Sequence, residues 1–238
     1  MKTTIGMIAC MFVCAVTVGC AKTEITETHP TYGKEKLPQP DTIYVYPFAA
    51  SPADLPPWSA AAKQSIPPAE EQTPELIEAG RKLGKSVAKE LVTQIQEMGL
   101  VALEADQQTV PRLNDILIVG YFLSVDEGST VKRMALGFGS GAAEVKAAAE
   151  GYQVTNDGMR LLGSGKLQSG GGKMPGVALP IVVLAATANP IGLIVGGGAK
   201  VYGEMSGNST IEGTGKRTAD AIAEHLQGKF KEQGWIRE

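Results

Sequence analysis

"TPELIEAGRKLGKSVAKELVTQIQEMGL" (Thr73–Leu100) is the stretch on which the reading of the fold turns. Thr73-Pro74 forms an N-cap and N1 pair, where a missing N–H costs nothing. Leu76, Gly80, Leu83, Val87, Leu91, Ile95 and Met98 recur at intervals of three and four. They line one face of a helix. Glu75, Glu78, Arg81, Lys82, Lys85, Lys89 and Glu97 hold the other face. Gly99 stands at the C′ position, with Leu100 after it. Gly80 and Gly84 leave a flat spot for close packing.

Around this helix the chain reads mostly as strands. Before it, "DTIYVYPF" (Asp41–Phe48) is β-branched and aromatic. Residues 51–74 are rich in proline and predict a long surface loop, in which Trp58 either pins the loop onto the domain or anchors a partner. After the helix come a short strand at Leu100–Asp106 and an all-apolar central strand within Asn114–Gly128. Gly141–Gly170 predicts a hairpin turning at Thr155–Gly158. A last amphipathic helix places Ala219, Ile222, Ala223, Leu226 and Phe230 on one face and ends at Gly234-Trp235 as the first ends at Gly99-Leu100. The expected fold is α/β (α+β): a mostly antiparallel sheet covered on one face by two amphipathic helices.

Met174–Ala199 carries no charged side chain and is long enough to cross a bilayer. Pro175, Pro180, Asn189-Pro190 and Gly196-Gly197-Gly198 interrupt it. The expectation is a Gly/Pro-interrupted apolar helical hairpin within 174–205, with helices over about 177–188 and 190–205. Burial in the domain or in a self-assembly interface, insertion at the bilayer surface, and a true span are its three readings. Gly192 and Gly196 would form a ridge for close helix approach.

The N-terminus carries an address. Lys2 followed by the apolar Ile5–Gly19 reads as a signal peptide. "TVGC" (Thr17–Cys20) resembles a bacterial lipobox, with Thr17 where Leu is usual. Lipidation of Cys20 would use the only cysteine of the mature chain, since Cys10 and Cys14 lie in the removed segment. More than one acyl chain is needed for stable anchoring, and a triacylated cysteine supplies that. Ala21 after the cysteine points to the outer membrane, by resemblance to enterobacterial lipoproteins. The expected organisation is a signal peptide at 1–19, a lipid-attached tether at 20–40 and a single periplasmic domain at 41–238.

Composition excludes several functions and names none. The 238 residues carry a formal net charge of −3, with 43% hydrophobic and 5% aromatic residues and 29 glycines. Nothing forms the basic stripe that nucleic acid needs. Two histidines, His29 and His225, form no metal motif, so no metal and no cofactor are expected. "GFGSG" (Gly137–Gly141) and "LGSG" (Leu162–Gly165) are not nucleophile elbows. "AGRKLGKS" (Ala79–Ser86) ends like a phosphate loop but lies mid-helix. Asp126-Glu127 reads as a solvated turn. No enzyme is expected.

"IYVYPF", "VGYFLSVDEGS", "ALGFGSGAAEVKAAAEGY" and "AKVYGEMSGNSTIEGTGKRTADAIAEHL" together resemble a family of bacterial lipoproteins, the domain of unknown function 4410 type. Arg133–Val145, with its "GFGSG", is the most particular part. The resemblance implies a Gram-negative envelope lipoprotein and supplies no catalytic residue. The strand–long helix–strand opening is similar to periplasmic lipoproteins that assist secretion channels or wall synthesis.

The expected role is a lipid-anchored envelope protein on the periplasmic face of the outer membrane, binding a protein partner or itself. Phe138, Gly139, Gly141, Ile191, Gly192, Gly196 and Trp58 are the candidate interaction surface. A carrier or sensor of lipid or another small apolar ligand, and a membrane-inserting or oligomeric pore accessory, are the alternatives.

Overall fold

The computed structural model describes residues 23–30, 36–64, 74–126, 144–170, 194–195 and 211–237. Cys20, the "GFGSG" loop, Ile191, Gly192 and Gly196 lie outside the described residues. The same holds for the apolar stretch 174–205, apart from Ile194-Val195.

The strands are β1 (Thr23–Pro30), β2 (Ile43–Val45), β3 (Ala102–Glu104), β4 (Ile116–Asp126), β5 (Glu144–Thr155), β6 (Gly158–Gly170) and β7 (Ile194–Val195). The helices are α1 (Ala60–Gln64), α2 (Pro74–Glu97) and α3 (Ile211–Gln233). One sheet runs β1-β6-β5-β4-β2-β3, with β7 pairing β4. The architecture is mixed α/β.

The sheet is itself mixed, which corrects the expectation of a mostly antiparallel one. β1–β6, β6–β5 and β5–β4 are antiparallel. β4–β2, β2–β3 and β4–β7 are parallel. For β2 and β3 the cause lies in the connection through α2. A strand that leaves through a long helix and returns beside itself comes back parallel, because the helix consumes the reversal a hairpin would provide.

Two further expectations change. The 20–40 tether carries an edge strand, since Thr23–Pro30 pairs with β6 from Thr23 opposite Ser169 to Pro30 opposite Gly163. Where a helix was expected over 190–205, Ile194-Val195 pairs as a strand beside Ser124-Val125. Both segments found an open hydrogen-bonding edge, which a local helix pattern does not register.

α2 and α3 pack against each other and over one face of the sheet. Leu83, Val87, Leu91 and Ile95 meet Ile43, Val45, Ile116 and Ile118 in that core. Both helices end alike. Gly99 (φ 87°) and Gly234 (φ 79°) take the left-handed conformation. The amides of Leu100 and Trp235 then donate back to the carbonyls of Ile95 and Phe230. β4 is buried on both faces from Ile116 to Gly120, as a central strand must be.

The junction of β2 and α2 is tight. Tyr46 N–H donates to the Ile118 carbonyl and Ala49 N–H to that of Gly120, both at 2.9 Å. Three residue steps thus face two, and Pro47-Phe48 bulges from the sheet. Phe48 N–H donates to the Gly84 carbonyl at 3.2 Å. A Cβ on Gly84 would stand 2.1 Å from the Phe48 carbonyl oxygen, and one on Gly120 would stand 2.3 Å from the Phe48 ring. Glycine at these two places lets the bulge wedge between helix and sheet.

The proline-rich segment is more than a surface loop. Its described half, with a 3-10 turn at Pro52–Asp54 and then α1, covers the second face of the sheet. Leu55, Ser59 and Ala61 are buried there.

Candidate functional site: an apolar cavity beneath α3

The β5–β6 hairpin forms the floor of the site. Ala149 stands opposite Gly165, and Gly151 opposite Gly163. These four positions face the helices, because Glu150 and Tyr152 between them turn to the other side of the sheet. α3 covers this floor with Ile222, Leu226 and Phe230, the stripe the sequence pattern predicts. Small residues below a helix leave space between the layers. A Cβ on Gly151 would meet nothing within 4 Å. The space is a cavity of about 550 Å³, also lined by Ile116, Ile118, Leu167 and Ile25.

One end is sealed by the chain entering the domain. Trp235 Nε1–H donates to the Leu37 carbonyl at 3.1 Å, and Leu37 N–H donates to Gln233 Oε1 at 2.7 Å. The Trp235 ring lies 5.4 Å from that of Phe230. The rim is polar. Lys36, His225, Lys229 and Glu232 all border the cavity. Lys229 Nζ pairs with Glu232 at 2.9 Å. Burial pushes the His225 imidazole below its ordinary value, Lys229 pushes it further down, and Glu232 opposes both. His225 is half-buried on the helix, where the neutral imidazole is favoured. The cavity is thus apolar within and polar at its edge, as small-molecule sites are.

Trp58 is half-buried on the opposite face. Its ring meets Tyr46 edge-on at 5.9 Å and Tyr152 at 5.0 Å. These ring contacts tie the 51–64 segment to the sheet. Beside it, Tyr152 O–H donates to Glu150 Oε2 at 2.7 Å, and Ala60 N–H donates to the Tyr152 hydroxyl at 2.6 Å. Burial raises the Glu150 carboxyl above its ordinary value, against the hydrogen bonds from Tyr152 and the Ala61 and Ala60 amides. Burial also raises Tyr121, to about 12, and Tyr152 further still, with the Glu150 charge adding to both. These groups form a latch that holds α1.

Of the sequence-derived surface only Trp58 lies within the described residues. The cavity was missed. Its signal was present as small residues at alternate positions of two paired strands (Ala149, Gly151, Gly163, Gly165), readable only once the register is known. Among the described residues no helix is long and apolar enough to cross a membrane, and no three His, Cys, Asp or Glu side chains gather as a metal site.

Comparison with known proteins gives a family and a faint structural likeness. No curated protein matches the chain. A PelC dodecamer from Paraburkholderia phytofirmans is 14% identical, covers 63% of this chain and 84% of its own, and aligns with a TM-score of 0.37. A substituted form of the PelC dodecamer from the same organism is 16% identical, with coverages of 63% and 83% and a TM-score of 0.34. Residues 43–188 match the family described as "Domain of unknown function (DUF4410)", and the chain belongs to that family.

Proposed function

For this member of the DUF4410 family, we propose a non-enzymatic binding protein of the cell envelope. It is held by lipid on Cys20 at the periplasmic face of the outer membrane, and its domain takes an apolar ligand into the cavity beneath α3. The observation that carries the reading is the glycine-floored cavity of about 550 Å³. That volume falls in the range of roughly 300–1,000 Å³ typical of small-molecule sites. An apolar lining favours an apolar occupant over water. The signal-peptide pattern and the "TVGC" box support the anchor.

A protein partner is a second reading, with its own observation. β3 is an edge strand, and Val101 and Leu103 on it or beside it are 59% and 47% exposed. Val110 and Leu113 in the next loop are 84% and 49% exposed. An open edge flanked by apolar side chains suits strand addition by a partner.

The test is chemical. The full chain carrying Cys20→Ser is purified, extracted with organic solvent and analysed by mass spectrometry, beside the wild type. Expected are an acyl compound near one per chain in the extract, and a lipid mass on Cys20 of the wild type, which fractionates with the outer membrane. An empty extract that added lipid cannot fill would end the ligand reading. An unmodified Cys20 would end the anchor.

A further inference from the structure

Apart from Glu150, whose side chain turns to the other face of the sheet, the charged residues that border the cavity are Lys36, Lys229 and Glu232, with His225 beside them, and their charges do not cancel. Spacing of three and four places His225, Lys229 and Glu232 along one edge of α3. Lys229 is neutralised by Glu232 at 2.9 Å. Lys36 borders the same space, with its Nζ 3.8 Å from where a Cβ on Gly234 would stand. Among the described residues no carboxylate pairs with Lys36. An ammonium at the mouth of an apolar cavity loses part of its hydration when the cavity fills, and an anion on the ligand restores that loss.

Resting on the reading of the cavity as an apolar ligand site, we propose that its ligand is a single aliphatic chain ending in an anionic head group, with the chain on the Gly151–Gly163 floor and the head group at Lys36. A neutral ligand of the same length would fill the floor equally well and leave the ammonium unpaired. Discrimination between the two therefore resides in Lys36, and capacity for the chain resides in the glycines.

The full chain carrying Cys20→Ser is titrated with dodecanoate and with 1-dodecanol. Binding is read by calorimetry and by the fluorescence of Trp235 in a Trp58→Phe background, Trp58 and Trp235 being the 2 tryptophans of the chain. Dodecanoate should bind once per chain and roughly tenfold more tightly than dodecanol. Lys36→Gln should weaken dodecanoate to the level of dodecanol and leave dodecanol unchanged, with the same melting temperature. Equal binding of the two compounds, indifferent to Lys36→Gln, would overturn the head-group inference and leave the cavity reading standing. Binding of neither would overturn both. Lysophosphatidylglycerol, a single-chain phospholipid used below its micelle concentration, locates the source of the anion: displacement of dodecanoate assigns a phospholipid, and failure to displace it assigns a free acid. Either of these outcomes upholds an anionic amphiphile.

Discussion

α2 and α3 cover the same face of one sheet, and a glycine within α2 and one beneath α3 have opposite effects. At α2, Gly84 has no room for a side chain, since the backbone of Phe48 lies against it. Gly120 beneath the Phe48 ring is equally confined. Under α3, Gly151 borders open space. The first pair of glycines removes Cβ atoms so that layers can close, as dense interiors require. The second group removes side chains where nothing moves in to replace them. One residue type thus makes both a tight joint and the floor of a cavity. What separates them is whether a bulged backbone or a straight helix lies above.

The contrast can be broken hardest at the tight joint. Gly84→Ala must displace backbone, so it should cost about 3 kcal/mol in urea unfolding. A loss below 1 kcal/mol would mean that Phe48 is not wedged there.

A smaller effect separates the two faces of the sheet through pH. The Glu150 carboxyl is raised by burial above its ordinary value of 4.5. Its contribution to stability is therefore fully present below that value and is lost as pH rises through the raised one. Wild-type melting temperatures should carry this decline, and Glu150→Gln should remove its share. An unchanged slope in the variant would place the Glu150 latch elsewhere in the energetics. His225, at the cavity rim, has the opposite sign. Its lowered value favours the neutral form, so its contribution is lost as pH falls below 6.5.

Much of the frame was legible in the sequence, because it rests on local periodicity. The α2 stripe, the paired Gly99 and Gly234 terminators, the buried run of β4 and the Thr155–Gly158 turn are all written within a few residues of themselves. What escaped depends on neighbours distant in the chain. The parallel pairing of β2 with β3 follows from where α2 returns the chain. The edge strand Thr23–Pro30 looked like tether because its partner, β6, lies more than a hundred residues away in sequence. The cavity depends on cross-strand register and on the helix above it. Gly151 and Gly163 carry no pattern of their own, and Lys36 gains meaning only from its place beside Gly234.

The most direct measurement is made at the open glycine. Gly151→Leu puts a side chain into the cavity without a backbone conflict, since no atom lies within 4 Å of the new Cβ. In a strand interior the loss of glycine should itself stabilise by about 0.5–1 kcal/mol. Melting temperature and dodecanol binding are measured together on this variant. The account expects a melting temperature equal to or above that of the wild type and loss of binding. A variant that binds as well as the wild type, at undiminished stability, would contradict the claim that this cavity is where the protein holds its ligand.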